Sequence, residues 1–269
     1  MQQQQLENFR AWFDDYVAAF YGPDEYVNAN LKMKEEHSRR TRDEMLYLAR
    51  ELGLDAKTTR TAETIALFHD IGRFEQFIRH GTYNDGRSVD HCLLALEVLE
   101  ETKVLAPLEE DERQLIQRAI EYHGLRQLPD HLDGQCLLLA KLIRDADKLD
   151  IFFTVIGYYA DHRDNPEKFM LEIEFPDEPW YSAGVVEGVL AGRRIDYSEL
   201  RTWNDARLLQ LGWVYDINFA AALKRIRQRG FLQMIIDFLP QTEDIERVKN
   251  KIFAYVDAGI EQQDAENRN

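Results

Sequence analysis

The stretch Ala62–Phe77, AETIALFHDIGRFEQF, places an imidazole and a carboxylate at the end of an apolar helical stripe. Starting at Ala62, apolar residues and then His69 recur at positions i, i+3, i+4 and i+7, so the sequence predicts one amphipathic helix through the stretch. An ionised Asp70 beside this histidine is costly to bury unless it is paired or coordinates a metal. The dipeptide alone leaves two alternatives open, a hydrogen-bonded His–Asp pair in the core and a metal site.

The composition limits the class of partner. The chain has 269 residues, of which 45% are hydrophobic, and its formal net charge is −16 with a pI near 4.9. This length and apolar fraction suit one globular unit with a sizeable core. The negative charge argues against a nucleic-acid polymer as the partner, because most of the surface would repel its phosphates. A small phosphorylated molecule remains compatible, since a metal ion and a few local cations reverse the field within one cleft.

The sequence predicts a cytoplasmic protein without a membrane segment. Cys92 and Cys136 both lie within apolar runs and are interpreted as core residues rather than as a disulfide. The first thirty residues lack the basic and apolar regions of a secretory signal. The longest apolar run, Ile151–Ala160, is too short to cross a bilayer.

The hydrophobic periodicity is helical along nearly the whole chain, which predicts an all-α fold. Further helices follow residue 183, and the earlier ones are predicted at 6–20, 28–52, 62–77, 88–100, 112–122 and 135–159. Residues 169–182 alternate between apolar and polar and are interpreted as a short hairpin or an extended excursion. We expect a single globular unit over 1–269, with a helical bundle at 30–160 and an appended helical lobe at 165–269. The aromatic residues of that lobe are compatible with a homodimer.

Five predicted helices each place an ionisable side chain on a face that should be core. These residues are His37, the His69–Asp70 pair, His91, His123 and Asp147. One histidine on an apolar face is usually a hydrogen-bonded core residue, but four histidines and two carboxylates on separate inward faces favour a metal centre. Imidazole and carboxylate together suit Fe, Mn, Zn or Co, and such sites form inside helical bundles. Six ligands exceed the need of one ion with open positions, so two ions bridged by one carboxylate are the economical arrangement.

Two segments carry a resemblance to a known family. LFHDIGRF at 67–74 and IRDADKLDIFF at 143–153 are similar to the two most diagnostic blocks of the HD-domain metal-dependent phosphohydrolase superfamily. The resemblance extends over residues 30–160, with no claim on the remainder. It implies an HD helical bundle that binds one or two divalent transition metals, namely Mn, Fe, Co, Ni or Zn.

The resemblance to the dinuclear members of this superfamily also implies how the ligands are shared. In that family the aspartate of the HD pair, here Asp70, bridges the two metals. The implied ligands are, for one metal, His37, His69, Asp70 and Asp147 and, for the other, Asp70, His91 and His123. Asp145 and Asp150 are rivals for the last carboxylate, although alignment on DKLD favours Asp147.

The same resemblance implies catalytic roles for Asp70, Arg73 and Lys148. Arg73 follows HDIG, where dinuclear phosphodiesterase relatives often carry Lys, and an arginine there is expected to bind phosphate through a bidentate contact. Lys148, beside the Asp147 ligand, is expected to add a second cation. The alternatives are a surface ion pair of Arg73 with Asp70 or Glu75, and a solvated Lys148.

The polar loop before the helix of His91 supplies the other predicted substrate-binding residues. With Arg73, these are His80, Tyr83 and Arg87, and Asp85 lies in the same loop. They are expected to line the entrance for substrate. A solvated polar loop without contact to a ligand is the alternative.

Three functions are compatible with this pattern. The first is a phosphohydrolase, either a phosphomonoesterase or a phosphodiesterase, that acts on a small phosphorylated metabolite or nucleotide through a metal-activated water. The second is a mixed-valent diiron oxygenase of the HD superfamily, and the third is a non-catalytic metal-stabilised sensor or scaffold. Gly124-Leu125-Arg126 after His123 departs from the HD-GYP pattern, and GxSxG, HExxH and P-loop patterns are absent. We therefore rank the phosphohydrolase first.

Overall fold

The computed structural model describes residues 1–132, 134–164 and 175–266. Throughout these residues the chain forms helices and connecting segments and no strand, which confirms the all-α prediction. The α-helices are α1 (Gln3–Ala18), α2 (Glu25–Glu51), α3 (Ala56–Phe68), α4 (Gly72–His80), α5 (His91–Thr102), α6 (Glu110–His123), α7 (Gly134–Asp164), α8 (Ala183–Leu190), α9 (Trp203–Gly212), α10 (Ala220–Arg229), α11 (Phe231–Ile236) and α12 (Glu243–Glu266). Short 3-10 turns occupy Asp85–Arg87, Tyr197–Glu199 and Trp213–Asp216. Among the described residues, none of the helices combines the length and the apolar character needed to cross a bilayer.

The chain divides into two compact units, Met1–Asp150 and Ile151–Asn269, and the boundary falls within α7. The first unit contains all six predicted metal ligands. The expectation of one globular unit over 1–269 stays a prediction. The hairpin predicted at 169–182 lies partly outside the described residues, and its described part, 175–182, contains no strand.

The prediction of one helix over 62–77 is wrong, because the chain turns at the HD pair. α3 ends at Phe68 and α4 begins at Gly72. Across the turn, the amides of Ile71 and Arg73 each donate a hydrogen bond to the carbonyl three residues earlier. Both helices bury apolar residues, so the periodicity runs through the turn and hides it. The turn leaves His69 and Asp70 between two helices rather than in the middle of one.

Gly72 explains why α4 approaches α5 so closely. A Cβ atom built on Gly72 would lie 2.4 Å from the carbonyl oxygen of His91 and 2.6 Å from the amide nitrogen of Ala95. Only glycine permits this contact between the two backbones. The close packing brings the HD pair next to the first turn of α5.

α5 begins later than the sequence suggested. A helix over 88–100 would take Ser88 as its N-cap, but Asp90 caps the helix and accepts hydrogen bonds from the amides of Cys92 and Leu93 at 2.8 and 3.2 Å. Ser88 instead donates to the carbonyl of Asn84 within the preceding loop. An aspartate is as good an N-cap as a serine, and its ionised carboxylate also matches the positive end of the helix dipole.

An aromatic core holds the turn at the HD pair from the side of α1. Phe9 and Phe13 are buried on α1, and their rings meet Phe68 and Phe74 edge-on at centroid distances of 5.9 and 6.4 Å. Such aromatic pairs contribute about 0.5–1.5 kcal/mol each beyond the area they bury. Because Phe68 precedes the HD pair and Phe74 follows it, this packing fixes both ends of the turn.

The second unit has its own core, in which α8 packs on α9 and α12, and α10 packs on α12. Tyr158, Tyr159 and Trp203 are buried together at its centre. The guanidinium of Arg207 lies over the rings of Tyr159 and Trp203 at 4.8 and 5.6 Å, and it donates to Asn204 Oδ1 at 2.8 Å. None of the predicted metal ligands belongs to this unit.

Candidate metal centre

The structure brings the six predicted ligands together inside the first unit. They come from α2, the α3–α4 turn, the first residue of α5, the last residue of α6, and α7: His37, His69, Asp70, His91, His123 and Asp147. Five of the six are buried, and the side chain of Asp147 is 19% exposed. Two helix ends, one turn and the interiors of α2 and α7 therefore meet at one point, and each contributes one or two side chains.

Two of the histidines are oriented by carbonyl groups of their own helices. His69 donates from Nδ1 to the carbonyl of Ala66 at 2.8 Å, and His123 donates from Nδ1 to the carbonyl of Ile120 at 2.6 Å. Each bond places the ring proton on Nδ1 and leaves the Nε2 lone pair directed away from the helix. Metal-binding histidines are typically held in this way.

The other two histidines are oriented by carboxylates. His37 Nδ1 lies 2.7 Å from Asp150 Oδ2, and His91 Nδ1 lies 2.6 Å from Asp85 Oδ2. A carboxylate at Nδ1 fixes the ring and makes Nε2 a stronger ligand. All four histidines thus use Nδ1 for support and direct Nε2 to the centre.

The Nε2 atoms form two pairs around Asp70. His37 and His69 approach within 3.3 Å at Nε2, and His91 and His123 within 3.2 Å. Oδ2 of Asp70 faces the first pair at 3.4 and 3.8 Å, and Oδ1 faces the second pair at 3.6 and 3.9 Å. One carboxylate with an oxygen toward each imidazole pair has the form of a bridge between two ions.

Of the three aspartates on α7 that competed for the last ligand position, Asp147 is the one that faces the ligand nitrogens. Its Oδ1 lies 3.1 Å from His37 Nε2 and 3.7 Å from His69 Nε2. Asp150 lies behind His37, on the side of Nδ1, and Asp145 is fully buried. On the side of the Nε2 atoms, the first imidazole pair therefore faces two carboxylates, Asp70 and Asp147, whereas the second pair faces Asp70 as its one carboxylate among the described residues.

The electrostatics keep both inner carboxylates ionised. Burial alone would raise the pKa of Asp70, but Lys34, His69 and Arg73 hold that pKa well below its usual range. Burial acts in the same direction on Asp147, and hydrogen bonds with His37 and His69 lower the pKa of that carboxyl well below its usual range. Two anionic oxygen ligands are therefore present without any change of protonation, as a divalent cation requires.

The histidines differ in proton affinity when no metal is bound. Burial would lower the pKa of His37, but its hydrogen bonds to Asp147 and Asp150 outweigh burial and raise the pKa to about 9. Burial and the neighbouring His69 and His91 lower the pKa of His123 to about 3. The pair with two carboxylates therefore holds a proton near neutral pH, and a metal ion would displace it.

Lys34 is a site residue that the sequence analysis missed. Its Nζ donates to Asp70 Oδ2 at 2.9 Å. A signal was available, because Lys34 precedes His37 by three residues on α2 and the two side chains therefore share a helix face.

Arg73 connects Asp70 to the following loop. Its Nη1 donates to the carbonyl of Tyr83 at 2.6 Å and to Asp85 Oδ1 at 2.7 Å, while Nε lies 3.5 Å from Asp70 Oδ1. Of the two ion pairs considered as alternatives, the one with Asp70 is present but largely buried, since the side chain of Arg73 is only 14% exposed, and Glu75 pairs with Arg79. The guanidinium is thus held beside the Asp70 carboxylate.

The loop that begins after α4 is ordered around Gln76 and Asp85. The fully buried Gln76 donates from Nε2 to Asp85 Oδ1 at 2.8 Å and to the carbonyl of Val89 at 2.9 Å. Burial would raise the pKa of Asp85, but the hydrogen bond with His91 and the charge of Arg73 lower it to about 2. Asp85 therefore supports a histidine ligand and an arginine at the same time, a role that loop composition did not predict.

The other predicted substrate-binding residues lie at different distances from the cluster. Tyr83 is half-buried, its ring stacks on Phe77 at 4.8 Å, and its hydroxyl donates to the carbonyl of Asn30 at 2.9 Å. His80 is exposed at the end of α4, roughly two to three helical turns beyond the HD pair, and Arg87 is exposed in the loop. Lys148 is half-buried on α7. The structure brings Tyr83 close to the cluster and leaves His80 outside it.

Cys92 lies beside the second imidazole pair. Its Sγ atom is 3.4 Å from His91 Nε2 and 3.6 Å from His123 Nδ1. A Cβ atom at Gly124 would lie 2.5 Å from this sulfur, so glycine after His123 makes room for it. Burial raises the pKa of the Cys92 thiol, which agrees with its prediction as a core residue.

The geometry agrees with the comparison to known families. Residues 35–151 match the family model of the HD domain. This segment is an HD domain. The match covers His37 through Asp147, and the HD domain is characteristic of a superfamily of metal-dependent phosphohydrolases. No curated protein and no solved structure matched the chain significantly.

The donor set of this HD domain fits the metals that the superfamily uses. Four Nε2 atoms and two ionised carboxylates converge, and each Nδ1 atom already has a partner. Three groups that could hold an ion are recognisable among the described residues: one with His37, His69 and Asp70, one with His91, Cys92 and His123, and one with Asp85, Asp90 and His91. Nitrogen and oxygen donors in these numbers suit divalent transition metals.

Proposed function

We propose that this HD domain is a dinuclear metal-dependent phosphohydrolase that acts on a small phosphate ester or nucleotide. The observation that carries the proposal is that the two oxygens of Asp70 face different imidazole pairs. Oδ2 faces His37 and His69, and Oδ1 faces His91 and His123. If Asp70 were only the hydrogen-bond partner of one histidine, there would be no reason for an imidazole pair at each of its two oxygens.

Each residue of the cluster has a role in this proposal. His37, His69 and Asp147 would hold one ion, His91 and His123 the other, and Asp70 both. Metal ions bound there supply an activated water and neutralise charge on the phosphoryl group. Asp85 and Asp150 are positioning residues, because they fix the imidazole rings through Nδ1.

The charge around Asp70 supports hydrolysis of a phosphate ester over the diiron oxygenase. Lys34 and Arg73 both lie next to this carboxylate, although the chain as a whole carries a net charge of −16. Local cations of this kind favour an anionic substrate. The ligand set itself suits either chemistry, so the distinction depends on the reaction products. Arg73 on α4 and Tyr83 in the following loop are the residues closest to a substrate in this proposal, and Lys148 remains a candidate for a further cation.

The proposal also includes the setting in which the protein works. We expect a cytoplasmic protein that binds a small phosphorylated molecule rather than a nucleic-acid polymer or a membrane. A homodimer through the C-terminal unit remains part of the expectation.

The test is a comparison of metal-loaded and chelator-treated protein on a panel of phosphomonoesters and phosphodiesters. We expect metal-dependent hydrolysis of the ester bond, a loss of more than about a hundredfold in Asp70→Asn, and full activity in Asp43→Asn, whose carboxylate pairs with Arg42 on the exposed face of α2. Oxygen uptake is followed in the same samples. Substrate-linked oxygen consumption without hydrolysis would contradict the proposal in favour of the oxygenase, and bound metal with neither reaction would favour the sensor.

A further inference from the structure

Lys34 and Arg73 approach Asp70 from different helices and face different oxygens. The ammonium group of Lys34 on α2 donates to Oδ2 at 2.9 Å, and Nε of Arg73 on α4 lies 3.5 Å from Oδ1. The two cations therefore flank the carboxylate that faces both imidazole pairs. Lys34 lies at the oxygen that faces the first pair, and Arg73 lies at the oxygen that faces the second pair.

The two cations differ in their other partners. Arg73 donates through Nη1 to Tyr83, Asp85 and Gln76, which fixes one side of its guanidinium, while its Nε atom donates to no acceptor among the described residues. In the described part of the chain, Asp70 is the hydrogen-bond acceptor of Lys34, and an ammonium group has three donors. Asp70 is also shared with four imidazoles, so Lys34 has no carboxylate of its own.

The position of Lys34 is limited by Tyr83. Its Nζ lies 5.3 Å from the centre of the Tyr83 ring, which attracts a cation on its face. That ring is held by Phe77 and by the hydroxyl bond to the carbonyl of Asn30. The ammonium group of Lys34 is therefore oriented toward the cluster, and the side chain as a whole keeps 17% of its surface exposed.

We infer that Lys34 is a substrate-binding residue that donates to an unesterified phosphoryl oxygen and favours phosphomonoesters over phosphodiesters. The inference deepens the proposed function and rests on it. A terminal phosphate carries nearly two negative charges and three unesterified oxygens near neutral pH. A diester has one charge and two such oxygens. A second cation with spare donors beside the first adds more attraction for the dianion, because Coulomb energy grows with the product of the charges.

The competing explanation is that Lys34 only balances the charge of Asp70. In that case its removal would alter metal binding and treat all esters alike. The two explanations therefore differ in a measurable quantity, the ratio of kcat/KM for a monoester to kcat/KM for a diester.

The experiment compares Lys34→Met with Lys32→Met in metal-loaded protein. Lys32 is a matched control, since it lies on the same helix, is largely exposed and pairs only loosely with Glu36 at 3.8 Å. The substrates are p-nitrophenyl phosphate and bis(p-nitrophenyl) phosphate, and the binding of inorganic phosphate is measured by calorimetry. Metal content and the unfolding temperature are recorded for each variant.

For Lys34→Met we expect a loss of roughly tenfold to hundredfold in kcat/KM for the monoester and in phosphate affinity, as for a lost charge-assisted hydrogen bond. The loss for the diester should be several times smaller, Lys32→Met should match the wild type, and Lys34→Arg should keep most of the monoester preference. Equal losses on both esters, unchanged phosphate binding, or a fall in metal content in Lys34→Met would overturn the inference. Wild-type protein that holds metal but binds no phosphate would also overturn it, whereas wild-type protein without metal would instead refute the proposed function.

Discussion

His37 is supported by a carboxylate that is itself held by an arginine. Asp150 faces His37 Nδ1 with Oδ2 at 2.7 Å and accepts from Arg40 Nε through Oδ1 at 2.6 Å. Burial would raise the pKa of Asp150, but these hydrogen bonds lower it. The ring of His37 is therefore fixed by an ionised group that the ligand pattern alone does not require.

Replacing this carboxylate should weaken the metal site without removing a ligand. For Asp150→Asn we expect metal affinity on the side of His37 to fall about tenfold to a hundredfold, because the amide supports Nδ1 without a charge. Titration with a competing chelator measures the change, and Asp43→Asn serves as the control. Unchanged affinity for both ions would mean that Asp150 has no role in orienting His37.

The raised pKa of His37 predicts a dependence of stability on pH in the metal-free protein. Its folded pKa of about 9 lies above the unfolded value of about 6.5, so the protonated ring contributes stability fully below pH 6.5. That contribution is lost as the pH rises through 9, by at most about 1.4 kcal/mol per pH unit. The lowered pKa of His123 acts in another window, from about pH 3 to 6.5, where stability falls on acidification.

Urea unfolding in the presence of a chelator, between pH 6.5 and 9, measures this effect. We expect the free energy of unfolding to decrease with pH in the wild type and to change less in His37→Gln. Equal slopes in the two proteins would show that His37 does not take up a proton on folding.

At the scale of elements, the turn between α3 and α4 determines how the ligands meet. The turn places the HD pair between helices, and Gly72 lets α4 lie against the start of α5, which carries His91. A side chain at Gly72 has no room, because backbone atoms rather than flexible side chains are the neighbours.

Gly72→Ala should therefore destabilise the protein by about 1–3 kcal/mol or more and reduce metal binding. Gly157→Ala on α7 is the matched control, since a Cβ atom there meets nothing within 4 Å. We expect that control to be neutral or stabilising by up to about 1 kcal/mol, because alanine favours a helix. Denaturant unfolding provides the measurement, and a Gly72→Ala protein as stable as the control would refute the close contact.

Sequence reasoning could predict which helices carry the cluster but not how each ring is oriented. The helical periodicity and the family resemblance identified the six predicted ligands, and the structure places these side chains next to one another. The sequence did not predict the turn before Gly72, because the apolar spacing continues through it. It also did not predict the cap at Asp90, because Ser88 is an equally acceptable cap. The role of Asp85 in supporting His91 and Arg73 was not predicted, because the contacts of a loop residue depend on the tertiary fold.

On the scale of the whole molecule, the strong negative charge and the local cations have separate consequences. A net charge of −16 disfavours polyanions at most of the surface, whereas Lys34 and Arg73 act within a few ångströms of Asp70. The HD domain lies within the first 151 residues, and the unit that follows has an aromatic core of its own. All six candidate ligands therefore belong to the first unit.

In the proposed metal centre, two ions bind and share Asp70. Elemental analysis of untagged wild-type protein, His123→Ala and His131→Ala measures the number of bound ions, and His131, an exposed histidine in a loop, controls for the loss of an imidazole. We predict about two transition metals per chain in the wild type and in His131→Ala, and about one in His123→Ala. The same metal content in all three proteins, whether one ion or none, would contradict the dinuclear centre.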